Sequence, residues 1–254
     1  MNAVKAIFVK QLNDFPKNMS IALMFIMYPV IAWVVSSFMG QEDPEAGNMI
    51  VMQFAMIFVG MTPLIMMANG IAEDNEYKSL RFLVTAGVKP VQYLVGLMSF
   101  TIIMSVLPLL AFAWIGGISG GQFAQFMGLG MLGVLASSVL GAVIGLFSKN
   151  VQQCAAIYSP IMMVLSFVPF LSMFNDTVAR VGTVIFTGQI FYSLIEIVIG
   201  SEAFEGRYNE YGEWVEGILP MYSGMNFALL VVAANALLFI ALFVVAYRKR
   251  GLRG

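Results

Sequence analysis

Glu73, Asp74, Glu76, Lys78 and Arg81 crowd five charges into nine positions between two long apolar runs. Acids lead and bases follow, the order a helix macrodipole favours. Tyr77, Leu80, Leu83 and Val84 recur at three- and four-residue steps, giving one apolar face. Gly87 supplies a C-terminal stop, and Pro90 opens the next run. The pattern predicts a short amphipathic helix within 71–90. Its chemistry is recognition: Glu73, Asp74, Glu76, Lys78, Ser79, Leu80 and Arg81 offer charge, a hydroxyl and apolar surface for a soluble partner to grip.

Catalytic chemistry is poorly served. The chain has no histidine, which removes histidine bases, histidine metal ligands and Ser-His-Asp triads together. Its single cysteine, Cys154, excludes an intramolecular disulfide. No carboxylate pair or nucleophile cluster stands in a catalytic arrangement, and no metal site is expected. A G-x-x-x-x-G-K-[ST] loop is missing too, so nucleotide phosphates would have to be bound by another chain.

The elements that must position the charged insert are membrane helices. The chain is 60% hydrophobic and only 11% charged, against about 25% charged in a soluble domain. Its mean hydropathy is +0.87. A crossing helix needs about 20 apolar residues. Runs at 19–39, 49–70, 91–115, 123–147, 154–174, 178–199 and 221–247 meet that length, seven in all. Lys5, Lys10 and Lys17 precede the first, and Arg248, Lys249, Arg250 and Arg253 follow the last. The positive-inside bias then puts both termini in the cytoplasm, which requires an even number of crossings.

The segment 178–199 is the odd one out, since it carries Arg180, Gln189 and Glu196. A charge at mid-membrane costs roughly 2.5–3.5 kcal/mol even on the lenient scale. A hairpin that dips in from outside and turns at Thr187-Gly188-Gln189 avoids part of that cost. Six spans remain, in a single all-α transmembrane domain, 1–254. An interfacial helix is expected over 1–18, where Val4, Ile7, Phe8, Leu12 and Phe15 share a face. External re-entrant helices occupy 176–217. No cleavable leader is expected, because the first run is long and lacks a small-residue cleavage site.

Three further patterns have two readings each. Gly133, Ser137, Gly141 and Gly145 fall four apart, which lets a helix approach closely; packing within the chain is favoured over a subunit interface. Pro29, Pro63, Pro108, Pro160 and Pro169 lie inside spans, where they kink helices and are also common. Arg180, Gln189 and Glu196 would form an external gate or substrate contact, or else a structural ion pair with interfacial snorkelling; both readings stay open. The acidic stretch from Glu202 to Glu216 reads as a solvated outer loop.

The run Ile71-Ala72-Glu73-Asp74-Asn75-Glu76-Tyr77-Lys78-Ser79-Leu80, followed by Gly87-Val88-Lys89-Pro90, resembles the I-A-E-E-x-E-x-x-T-L…G-V-x-P signature of ABC-2 type transporter permeases. Glu73, Asp74, Glu76, Ser79 and Leu80 match it, with Asp74 and Ser79 standing for the commoner Glu and Thr. The resemblance implies an ABC-2, type V exporter-like fold in which this segment is the coupling helix that docks on an ATPase. It also implies two copies of a cytoplasmic ABC ATPase that carry ATP and Mg, a second permease chain in a homodimeric or pseudo-dimeric unit, and lipid around them. This chain itself would bind no cofactor and catalyse nothing, and no nucleic-acid partner is expected. The setting would be a bacterial plasma membrane, and the cargo an amphipathic or hydrophobic peptide, toxin, antimicrobial or drug. The competing class is an ion-coupled secondary transporter or channel, which normally needs charges near the midplane; the first five spans and the last have none in their cores.

Overall fold

A computed structural model describes residues 3–17, 19–41, 44–199, 207–208, 214–215 and 225–251. Helix α1 (Ala3–Asp14) and a 3-10 turn (Phe15–Lys17) lead into α2 (Met19–Met39). Then come α3 (Pro44–Glu76), α4 (Ser79–Thr85), α5 (Pro90–Ile115) and α6 (Gly120–Phe147). Helices α7 (Val151–Leu171), α8 (Asp176–Gly182), α9 (Phe186–Ile199) and α10 (Met225–Gly251) complete the bundle. Six of these are long and apolar enough to cross a membrane: α2, α3, α5, α6, α7 and α10. The protein is a multi-pass membrane protein. A two-residue antiparallel ladder, Arg207–Tyr208 against Trp214–Val215, is the one departure from an all-helical chain among the described residues. The rest of the acidic stretch from 202 to 216 lies outside them.

The bundle has an inside and an outside. In the apolar windows of α3 and α6, 72% and 78% of residues are buried, against 22% in α2, α7 and α10. Helices α3 and α6 therefore form the core pair, and small residues set their distance. A Cβ on Gly141 would lie 2.3 Å from the Leu64 carbonyl oxygen, and one on Gly145 would lie 2.7 Å from that of Ala68. Ser137 does more than stay small. Proline at 63 removes the N–H that would bond the Val59 carbonyl, and Ser137 Oγ donates to that carbonyl at 2.6 Å. The four-residue stripe thus packs within the chain, against α3.

Aromatic rings join the amino-terminal elements to this core edge to face. The centroid distances are 5.8 Å for Phe8–Phe100, 5.5 Å for Phe15–Phe100, 5.8 Å for Phe15–Phe25 and 5.6 Å for Phe25–Phe58. Such pairs contribute about 0.5–1.5 kcal/mol beyond their buried area. The apolar face of α1 is consequently held on α5, with Ile7 seated over Gly96.

Within 178–199 the chain breaks at 183–185, and the turn expected at Thr187-Gly188-Gln189 is instead the first turn of α9. Gly188 serves close approach rather than a turn: a Cβ there would lie 2.2 Å from the Gly182 carbonyl oxygen. Residues 186–195 of α9 are buried on every side. Asn235 Nδ2 of α10 donates to the Val184 carbonyl at 3.3 Å and so ties the break to the last span, ten residues past that helix's start.

Gly141→Leu should destabilise the chain by about 1–3 kcal/mol through overpacking, whereas Gly128→Ala, which meets nothing within 4 Å, should be silent. Thermal unfolding in detergent checks the pair.

Candidate functional site

The charged insert is divided between two helices. Helix α3 runs on through Glu76, so Glu73, Asp74 and Glu76 lie in its last turn. The macrodipole expectation is therefore corrected: these acids sit at the negative end of their helix, where their own backbone disfavours them. Lys78 then takes a left-handed φ of 58° and breaks the chain before α4 begins at Ser79. Tyr77 belongs to that break and is 71% exposed, so it is not part of an α4 apolar face. Leu83 packs against the cluster that contains Tyr93 and Phe243. Leu80 and Arg81 lie on α4, but their side chains are outside the description.

Other elements compensate the acids. Asp74 is buried, with its side chain only 3% exposed. It pairs with Lys10 Nζ of α1, and its second oxygen accepts from Tyr93 Oη of α5 at 2.7 Å. Asn75 Nδ2 donates at 3.0 Å to the carbonyls of both Gly145 and Ser148 and so closes the end of α6. Glu76 Oε2 accepts from the Val151 N–H at 3.2 Å, which places a carboxylate at the positive end of α7. Glu73 lines a cleft of about 150 Å³ with Gln11, Asp14 and Gly70. Three consecutive side chains therefore grip four other helices.

The far side of the insert is held as well. Gly87, at φ 79°, terminates α4, and the Val88 N–H bonds back to the Leu83 carbonyl at 3.0 Å, the wrap of a Schellman cap. Tyr247 Oη of α10 donates to the Val88 carbonyl at 3.3 Å, and its ring lies 5.9 Å from that of Tyr93. Between these anchors Glu76, Tyr77, Lys78, Phe82, Thr85 and Lys89 stand exposed, with Phe82 at 73%. Ser79 is half-buried.

Arg180, Gln189 and Glu196 lie on α8 and α9 in three different settings. Arg180 is exposed in the last turn of α8. Gln189 is buried, and its Nε2 donates to the Thr183 carbonyl at 2.8 Å to close α8. Glu196 is half-buried two turns further on. Among the described residues no cluster of three acids or cysteines could hold a metal.

Sequence reasoning missed Tyr93, Asn75 and Tyr247, which carry no charge, and read Lys10 only as a marker of orientation. Asp74→Ala should cost about 2–4 kcal/mol, since it strands Tyr93 and an ion partner. Tyr93→Phe should cost about 1 kcal/mol. The double variant should lose less than the sum, because the two side chains share one bond; thermal unfolding of the three variants checks this.

No individually curated protein matches the chain. The family model described as ABC-2 family transporter protein matches residues 2–247. With six helices long and apolar enough to span and a match over nearly all its length, the chain belongs to the ABC-2 transporter family, whose members are the membrane components of ABC transporters.

Proposed function

We propose that this chain is the permease subunit of a bacterial ABC exporter, and that α4 with its flanking turns is the element an ATPase grips. The observation that carries the reading is the contrast at 73–89. The exposed side chains Tyr77, Lys78 and Phe82 sit on a segment whose roots, Asp74, Asn75, Glu76 and the Val88 carbonyl, are bonded into α1, α5, α6, α7 and α10. An exposed aromatic pair on a membrane protein's polar loop favours a protein partner. Force applied there reaches five helices through bonds of ordinary strength, without crossing a loose joint.

In this reading both termini face the cytoplasm, and the chain works in the plasma membrane as one of two copies. Each copy docks on one of two ATPase subunits, which bind ATP and Mg2+; the permease binds neither. Closure of the ATPases on ATP pulls the two α4 segments together and shifts α3 against α6. Glu73, Asp74, Glu76, Lys78, Ser79, Leu80 and Arg81 divide the work. The first three transmit inward and the others, with Phe82, meet the partner. The cargo is amphipathic or hydrophobic, a peptide, toxin or drug, leaving along the lipid-facing chains of exposed Leu, Ile, Phe and Met. Arg180, Gln189 and Glu196 then belong to the outward end, with Gln189 as the residue that holds the α8–α9 break in shape.

Phe82→Asp should reduce co-purification of the partner ATPase at least tenfold while leaving the melting temperature of the permease unchanged, because the side chain touches solvent. Asp74→Asn should do the reverse, lowering the melting temperature first. ATP-independent transport of cargo by the reconstituted chain alone would instead establish a secondary transporter or channel.

A further inference from the structure

We propose that ordered water occupies the junction of α3, α7 and α9 beside Gly60. Three buried side-chain oxygens on these helices have no hydrogen-bond partner among the described residues: Gln53 Oε1 of α3, Ser166 Oγ of α7 and Thr187 Oγ1 of α9. Gln53 is 7% exposed, and Ser166 and Thr187 are 0% exposed. Three contacts make their residues neighbours. Gln53 Nε2 donates to the Ser166 carbonyl at 3.3 Å. A Cβ built on Gly60 would lie 3.1 Å from Ser166 Oγ and 3.5 Å from the Thr187 methyl. The same point lies 3.6 Å from the carbonyl carbon of Leu165.

That last neighbour adds a fourth oxygen. Proline at 169 has no N–H to offer the Leu165 carbonyl four residues earlier. The corresponding gap in α3 is filled by protein, since Ser137 donates to the Val59 carbonyl that Pro63 leaves open. Around the α7 gap the neighbouring residues offer two hydroxyls and an amide oxygen whose own amide nitrogen is already engaged. Four acceptors meet two hydroxyl donors, so the set lacks protons. A water supplies two, and two to four polar partners are what a buried water requires. The chemistry favours water over a cation. All four oxygens are neutral, and Thr187 sits in the first turn of α9, whose dipole end is positive. A hydrated joint at this point also lets the proline-interrupted α7 shift against α9 while every polar group stays bonded.

The test uses the full chain in lipid nanodiscs and two readouts. X-ray radiolysis generates hydroxyl radicals from bound water, so Leu165 should be oxidised at least tenfold faster than Leu109, an equally apolar buried leucine. Equal rates overturn the proposal. Thr187→Val keeps the shape and removes the oxygen. It should lower the melting temperature by roughly 2–4 °C, as expected for one lost water-mediated bond in a chain of this size, and should slow Leu165 oxidation. A melting temperature that is unchanged or higher means a dry, unsatisfied hydroxyl was removed, and that also overturns the proposal.

Discussion

The buried carboxylate of Asp74 is the constraint on which the insert-bearing end of this bundle depends. An isolated charge cannot remain in an apolar interior, so Lys10 and Tyr93 must come to it. Lys10 brings α1 and Tyr93 brings α5. The two flanking residues recruit the rest, Asn75 closing α6 and Glu76 opening α7. The Asn75 and Glu76 bonds satisfy helix ends, which would otherwise leave backbone groups unpaired. The segment that makes the chain recognisable is therefore first a device for assembling helix termini. Among the described side chains it leaves Tyr77, Lys78 and Phe82 exposed, while Asp74 and Glu76 before them are already engaged.

Deeper in the bundle the limiting problem is backbone, not charge. Lipid offers no alternative hydrogen bonds, and between helices little hydrophobic driving force remains once both are apolar. Contact then comes from close approach, which is why Gly141 and Gly145 set the α3–α6 distance. Each proline in a span opens a carbonyl that something else must serve. At Pro63 the donor is Ser137. A serine in a stripe of glycines therefore holds two roles, small enough to allow contact and polar enough to mend a kink.

Helix α9 illustrates how an element too short to span finds a place. Its residues 186–195 are enclosed by α3, α6, α7 and α10, and its first turn meets the α8 terminus through Gly182 and Gly188. Gln189, Asn235 and Gln122 supply bonds to carbonyls that the interrupted helices leave open. Polar side chains in this region read as a charged gate only while their partners are unknown. Once placed, Gln189 closes a helix, Arg180 is exposed and Glu196 is half-buried.

Membrane class, the approximate helices and the recognisable insert were legible in the sequence, because hydropathy and the spacing of apolar residues act locally and need no partner. The long runs at 19–39, 91–115 and 123–147 are read from composition, which lipid selects directly. Two boundaries were not legible, and for one reason. Nothing in Ile71 to Glu76 stops a helix, so α3 continues into the insert until Lys78 turns left-handed. Gly188 looks like a breaker but is a contact residue. Local pattern cannot tell a glycine that ends a helix from one that lets another helix touch it. Composition and periodicity by themselves thus determined that the chain spans a membrane and carries a charged helical insert. Only the tertiary structure decided which acids are buried and which side chains face out, because Asp74, Tyr93, Lys10 and Tyr247 are distant along the chain and meet only when the helices pack.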